Sequence, residues 1–299
     1  MSRVAARKNL VLAFTSNQTK THCRTPPQET LEHAVINLLQ NVDPLYVLSG
    51  VLVGGLVGFT GVGGGSLMTP ILILVFGIHP STAVGTDLLY ASITKTGGSF
   101  VHGYNRTIDW RVVGRLALGS VPFTALTILL LYEMKIDSKV TQTLISNILG
   151  VALLFTAISL LFRKPFMAWY SARVPEPNPK LVRNLTIATG AVLGVLVSLS
   201  SVGAGAIGVM ALVMLYPKMD ARRIVGSDIA HAVPLTLIAG IGHSFLGSIN
   251  WHILVSLLVG SIPAIVVASI ASARMSDTII RVSLAFVLIL VCLRFWFMH

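Results

Sequence analysis

Four glycines within five residues, Gly61, Gly63, Gly64 and Gly65, interrupt an apolar run that begins near Leu45 and ends near Phe76. Glycine inside a helix costs roughly 1 kcal/mol relative to alanine, so a helix cannot run unbroken through this density. The run therefore predicts two half-helices meeting at an unwound loop, with Ser66 as N-cap of the second and Pro70 early enough in it to be tolerated. Unwound backbone at membrane depth persists only where it faces protein or a water-filled cavity. A half-helix N-terminus in such a place presents N–H groups and the positive end of a dipole, which suits a small anion.

The remainder of the chain supports that setting. Of its 299 residues 54% are apolar and 11% charged, and the mean hydropathy is +0.81. Those values describe a polytopic all-α membrane protein. Eight apolar segments of about spanning length follow one another, at 45–76, 82–102, 112–133, 141–162, 182–216, 224–246, 251–273 and 278–297, and the fifth is broken like the first. The net charge of +11 comes from Lys and Arg in short connections between these runs, so it reads as topology and gives no ground for a nucleic-acid partner. Cys23 and Cys292 stand at opposite ends of the chain without metal-ligand spacing, and no metal or other cofactor is implied. Residues 1–43 read as a basic tail with Pro26-Pro27, followed by an amphipathic helix over 29–41 that lies on the membrane surface. The apolar patch from Leu10 to Phe14 is too short for a signal peptide.

The chain repeats itself. Val62-Gly63-x-Gly65 matches Val202-Gly203-x-Gly205 at an offset of 140. At 141, Gly85-Thr86-Asp87 meets Gly226-Ser227-Asp228, His102 meets His243, Trp110 meets Trp251, and Gly119-Ser120-Val121-Pro122 meets Gly260-Ser261-Ile262-Pro263. Two homologous halves are expected, 44–162 and 182–297, joined by a cytoplasmic Pro-rich basic linker over 163–181. Basic residues give their relative orientation. The loop at 77–81 has no Lys or Arg while its counterpart at 217–223 has Lys218, Arg222 and Arg223; the next pair differs in the opposite sense, with Arg106 and Arg111 in the first half only. Mirror-image charge is the mark of inverted repeats, and inversion requires each broken segment to be a re-entrant hairpin. One long tilted crossing per broken segment is the alternative.

The glycine run and its spaced companions resemble a known family. Gly-Val-Gly-Gly-Gly-Ser-Leu-Met-Thr-Pro at 61–70, Ala83-Val84-Gly85-Thr86, His102-Gly103 and Ile108-Asp109-Trp110-Arg111 are similar to the sulfite exporter TauE/SafE family of membrane permeases, over residues 45 to about 297. The resemblance implies transport of sulfite, sulfonates or related sulfur oxyanions; the residues alone imply a small anion. The second glycine run is thinner, with Ala204 and Ala206 between Gly203, Gly205 and Gly208.

Three formal charges lie well within the spanning runs: Asp87, Lys95 and Asp228. Charge at that depth is costly, which makes each a functional candidate. Lys95 follows Asp87 by eight residues, about 80° around a helix, and His102 follows by fifteen, about 60°, so the three share a face. Asp228, His231 and His243 share one likewise, with Thr236 where Lys95 would stand. The expectation is that these faces meet, with Gly63, Gly64, Gly65, Ser66, Lys95, Gly203 and Gly205 binding the anion and Asp87, His102, Asp228 and His243 relaying a proton. Plainer readings stand beside it. The aspartates could be dipole partners near helix starts, Lys95 could pair with Asp87 structurally, the histidines and tryptophans could be interfacial anchors, and Gly54-x-x-x-Gly58 could be a packing device.

These readings converge on a plasma-membrane secondary transporter that exports a small sulfur oxyanion by alternating access, as a monomer or a homo-oligomer. The rivals are a passive anion channel, a permease importing sulfonates or other organic anions, an intramembrane enzyme and a membrane anchor. No acid/base or nucleophile constellation favours the enzyme, and the duplicated ionisable faces disfavour the anchor.

Overall fold

The glycine and proline punctuation of the sequence sets the helix ends. A computed structural model of the protein describes residues 42–60, 65–135, 138–173 and 178–271, with positions 285, 286, 288, 289 and 293, all within the unit Val42–His299. The basic tail and amphipathic helix expected over 1–43 lie outside the described residues but for the last two positions. Nine helices are formed among the described residues: α1 Pro44–Thr60, α2 Gly65–Leu74, α3 Pro80–Tyr104, α4 Trp110–Glu133, α5 Lys139–Arg173, α6 Pro179–Ser200, α7 Ala206–Leu215, α8 Ala221–Phe245 and α9 Trp251–Ala271. Five are long and apolar enough to cross a membrane: α4, α5 over Lys139–Phe162, α6, α8, and α9 over Trp251–Ala268. No strand occurs among the described residues. Of the last expected span, 278–297, the few described positions are helical.

Helix ends follow local chemistry. The Asp109 carboxylate accepts from the N–H groups of Arg111 and Val112 at 3.0 and 3.3 Å to cap α4, and Asp220 and Asn178 cap α8 and α6. Helices α3 and α8 close on the same motif: Thr107 N–H donates to His102 O at 3.0 Å, and Ser248 N–H to His243 O at 3.1 Å, with Arg106 and Gly247 in the left-handed region.

Packing joins the two halves crosswise. The most extensive helix contacts are α1 with α9 and α4 with α6. A Cβ on Gly50 would collide with the Leu257 carbonyl, one on Gly54 would lie 2.7 Å from Ser261 Cα, and one on Gly260 would collide with the Val47 carbonyl. In the other pair, Gly190 abuts the Leu116 carbonyl, a Cβ on Gly194 would lie 2.6 Å from the Ser120 carbonyl, and Gly119 abuts Ile187. The offsets of 140 and 141 map each contact of the first set onto one of the second. Without a hydrophobic drive between helices in lipid, backbone contact of this kind supplies the association.

The same contacts fix helix directions. Along α3 and α8, Gly85 lies against His243, Leu89 against Gly240, Gly98 against Ile229 and His102 against Gly226, so the pair is antiparallel. Helix α9 follows α3, through Asn250 N–H to Thr86 Oγ1 at 3.1 Å and Tyr90 against Ser261; α1 follows α9. Helix α4 follows α8, through Thr107 against Gly226 and Ser120 against His231, and α6 follows α4. The half-helices α2 and α7 run back against α3 and α8, Thr69 meeting Asp87 and Gly208 meeting Asp228. Each broken segment thus turns back on itself, and the second half runs opposite in sense to the first. The connections at 75–79 and 246–250 share one end of the bundle with the start of α5, where Ser81 N–H donates to Gln142 Oε1 at 3.2 Å. Those at 105–109 and 216–220 share the other, where Arg223 pairs with Asp109 at 3.3 Å. Single cysteines at Gly77 and Lys218 are accordingly expected to react with impermeant reagent from opposite sides of the membrane; equal labelling from one side would refute these directions.

Two expectations change in detail. Helix α2 begins at Gly65, so Ser66 is inside its first turn and the cap position falls at residue 64, outside the described residues. Helix α5 runs on to Arg173 through the first half of the expected linker, where Phe166 and Tyr170 stack at 5.4 Å and the Tyr170 hydroxyl donates to the Met214 carbonyl at 3.2 Å. The Gly-Ser-x-Pro elements lie inside helices α4 and α9 and carry the crosswise backbone contacts.

Candidate functional site

The polar faces of α3 and α8 meet, as their spacing predicts, and the broken turn of the second half lies against them. Asp87, Lys95, Asp228 and His231 are all buried, Lys95 to 4% exposure despite its length. Residues 201–205 leave helical geometry between α6 and α7: Ser201 adopts φ 57°, Gly203 120° and Gly205 136°. The two glycine values lie in a region that side chains rarely adopt, which is why glycine occupies both positions.

Lys95 crosses from the first half to this turn. Its ammonium donates to the carbonyl of Ala204 at 3.0 Å, and both Asp87 and Asp228 lie within electrostatic range. Asp87 accepts from the Thr69 hydroxyl on α2, with the Ser201 hydroxyl beside it. Asp228 presses on the first turn of α7 at Gly208, where a Cβ would collide with its Oδ1. Each aspartate therefore sits against the half-helix of its own half, Asp228 at the first turn, where the positive helix end favours an anion. Ser159 Oγ donates to the carbonyl of Ala206 at 2.9 Å, tying α5 to the same turn.

Other expected site residues are placed differently. His102 stands about two turns beyond Lys95 on α3. Its Nδ1 is 2.8 Å from Thr107 Oγ1, within the α3–α4 connection. His243, about three turns from His231 on α8, has Nε2 2.9 Å from the Ser198 carbonyl and Nδ1 2.9 Å from Ser248 Oγ. A carbonyl only accepts, so the ring carries its proton on Nε2. Both histidines clasp the connection that follows their helix, at opposite ends of the bundle, and neither is brought to Lys95. Gly63 and Gly64 lie outside the described residues; Gly65 opens α2, and the side chain of Ser66 is not among those described.

Sequence reasoning passed over Tyr90 and the serines of the two Gly-Ser-x-Pro elements. His231 Nε2 lies 2.8 Å from Ser120 Oγ, and Tyr90 faces Ser261. Tyr90 and His231 are related by the offset of 141, as are Ser120 and Ser261, so the repeat itself held the signal. The other nitrogen of His231, Nδ1, is buried without a hydrogen-bond partner, and the ring lies within electrostatic range of Lys95. Thr69 and Ser201 had no such signal, being ordinary hydroxyls until the fold brings them to Asp87. Among the described residues no three His, Cys, Asp or Glu side chains gather as metal ligands.

Comparison with known proteins finds a family and several relatives. The family model described as sulfite exporter TauE/SafE matches residues 46–295. The Bacillus subtilis protein named Probable membrane transporter protein YjnA is 41% identical over 236 residues, covering 77% of this chain and 90% of its own. A second from that organism, Probable membrane transporter protein YdhB, is 27% identical over 221 residues, covering 73% and 85%. A protein of Methanocaldococcus jannaschii, also named a probable membrane transporter, is 28% identical over 203 residues, covering 66% and 70%. No solved structure matches the chain.

Proposed function

Because the chain belongs to the sulfite exporter TauE/SafE family of membrane transporters, we propose that it is a secondary transporter that carries small sulfur oxyanions such as sulfite or organosulfonates out across the plasma membrane. The observation that carries this reading is Lys95, a buried ammonium held on the opened turn of the opposite half. A fixed cation beside an unwound helix start supplies both charge and N–H donors to an oxyanion. Its neighbours supply the coupling. A carboxylate and a substrate anion compete for the same positive helix end, so protonating Asp87 or Asp228 favours loading. Alternating access follows from 44–162 and 182–297 acting as inverted repeats around α3 and α8, with Lys95 near their crossing. The basic end, which holds Arg106, Arg111, Arg115, Lys180, Arg183, Lys218, Arg222 and Arg223, is cytoplasmic by the positive-inside rule.

The test is flux in proteoliposomes with sulfite, thiosulfate, sulfonates and carboxylates, with and without a proton gradient. Saturable sulfite or sulfonate flux with countertransport, faster when the loading side is acidic, is expected. Carboxylate flux with no sulfur oxyanion flux would overturn the substrate class. Unsaturable flux would replace the carrier by a channel, and flux indifferent to pH would remove the role given to the aspartates.

A further inference from the structure

A pocket of about 460 Å³ opens at the basic end, between α4, α6 and the connection from α7 to α8, away from Lys95 and independent of the transport reading. Arg115, Lys218 and Arg223 line it, together with Tyr216 and Asp220. Arg115 is half-buried and donates through Nη1 to the Tyr216 hydroxyl at 3.2 Å. That hydroxyl also meets Thr186 Oγ1 at 2.9 Å, in the buried wall on α6. The guanidinium is thereby positioned, with one of its five N–H donors used in that bond. The carboxylates nearby are committed to helix starts. Asp220 accepts from Arg222 N–H as the cap of α8, and Asp109, which pairs with Arg223, caps α4. With Asp109 counted beside Asp220, three cations face two carboxylates, and the pocket keeps a net positive charge.

Its height in the membrane narrows the ligand. The pocket is built from the first turn of α6 and the second turn of α4, near where these spanning helices begin, and α4 opens on Trp110, 68% exposed and of the kind that sits at headgroup level. Basic pockets between spanning helices at the cytoplasmic side suit phosphate headgroups, and a guanidinium matches phosphate oxygens in a fork. We propose that this pocket binds the phosphate group of an anionic phospholipid. Free inorganic phosphate shares the chemistry and is the other source to separate.

The experiment is thermal unfolding of the purified full chain in detergent with added phosphatidylglycerol, phosphatidylcholine or inorganic phosphate, alongside native mass spectrometry of bound lipid. Phosphatidylglycerol is expected to raise Tm by roughly 3 °C and to remain bound, while phosphatidylcholine does neither. The double variant K218Q/R223Q, altered only at exposed side chains, is expected to lose more than half of that shift and of the bound lipid. R222Q, at an exposed arginine beside the pocket, keeps both. Equal shifts in K218Q/R223Q and the unaltered protein, or equal effects of the two lipids, would overturn the site. A shift produced by inorganic phosphate alone, to which phosphatidylglycerol adds nothing, would overturn the lipid source and leave the phosphate chemistry standing.

Discussion

Replacing Lys95 with methionine is expected to lower transport per folded molecule at least about 100-fold, equivalent to roughly 2.7 kcal/mol of lost transition-state stabilisation. Methionine keeps the unbranched stem and its packing, so the change removes the ammonium and little else. Three interactions go with it: the bond to Ala204 O and the attraction to Asp87 and to Asp228. Leaving buried carboxylates without their cation is destabilising, by about 3–5 kcal/mol in measured cases, so the yield of folded protein falls too. The double variant K95M/D228N separates the two effects, since it removes one carboxylate with the cation. It is expected to recover yield and to remain inactive. Lys95→Arg keeps the charge but cannot place it as a compact point on a single carbonyl, so partial flux with a raised KM is expected. Full flux with unchanged KM in K95M would refute the role of Lys95 in binding.

Much of the architecture is legible in the sequence, because the chain states it twice. The offset that aligns Asp87 with Asp228 and His102 with His243 also predicts which faces pack, and the charge asymmetry between 77–81 and 217–223 predicts the opposed senses of the halves. What could not be read was where a long side chain ends. Lys95 lies on the first half by sequence, yet its ammonium sits on the turn of the second, because α3 and α8 cross antiparallel and the break at 201–205 is folded against them. The histidines show the reverse limit. Helical spacing gives their face but not their neighbours, since a face is shared along a whole helix while chemistry is local. His102 and His243 are spent at opposite ends on Thr107 and Ser248.

Departures from the repeat are as informative as matches. Tyr90 and His231 occupy equivalent positions, each beside the serine of a Gly-Ser-x-Pro element, but only the histidine brings a second polar nitrogen. Thr236 stands where Lys95 would, and Ala204 where Gly64 would. A two-fold frame with unequal polar contents supports the proposal of one anion site rather than two equal ones, at Lys95, His231 and the 201–205 turn.

The frame itself rests on contacts that admit no side chain, and Gly119→Val is expected to cost more than about 3 kcal/mol, the upper range for overpacked sites. A Cβ at Gly119 would strike the carbonyl of Ile187 and crowd the Ala191 nitrogen at 2.7 Å. Both are backbone atoms inside helix α6, so no rotamer change relieves the clash and the two helices must part. Parting them also shifts Gly190 off Leu116 and Gly194 off Ser120, the serine that meets His231. Gly114→Val supplies the control on the same helix, five residues earlier, where nothing lies within 4 Å of a Cβ. Valine is a better helix former than glycine, so that variant is expected to be neutral or slightly more stable. Gly260→Val should repeat the result of Gly119→Val through Val47, because the offset of 141 relates the two sites. The monomer fraction on size exclusion and the midpoint of thermal unfolding report all three. If G119V and G260V behaved like G114V, the crosswise helix pairs would not be in backbone contact, and the opposed halves that hold Lys95 against the second turn would lose their support.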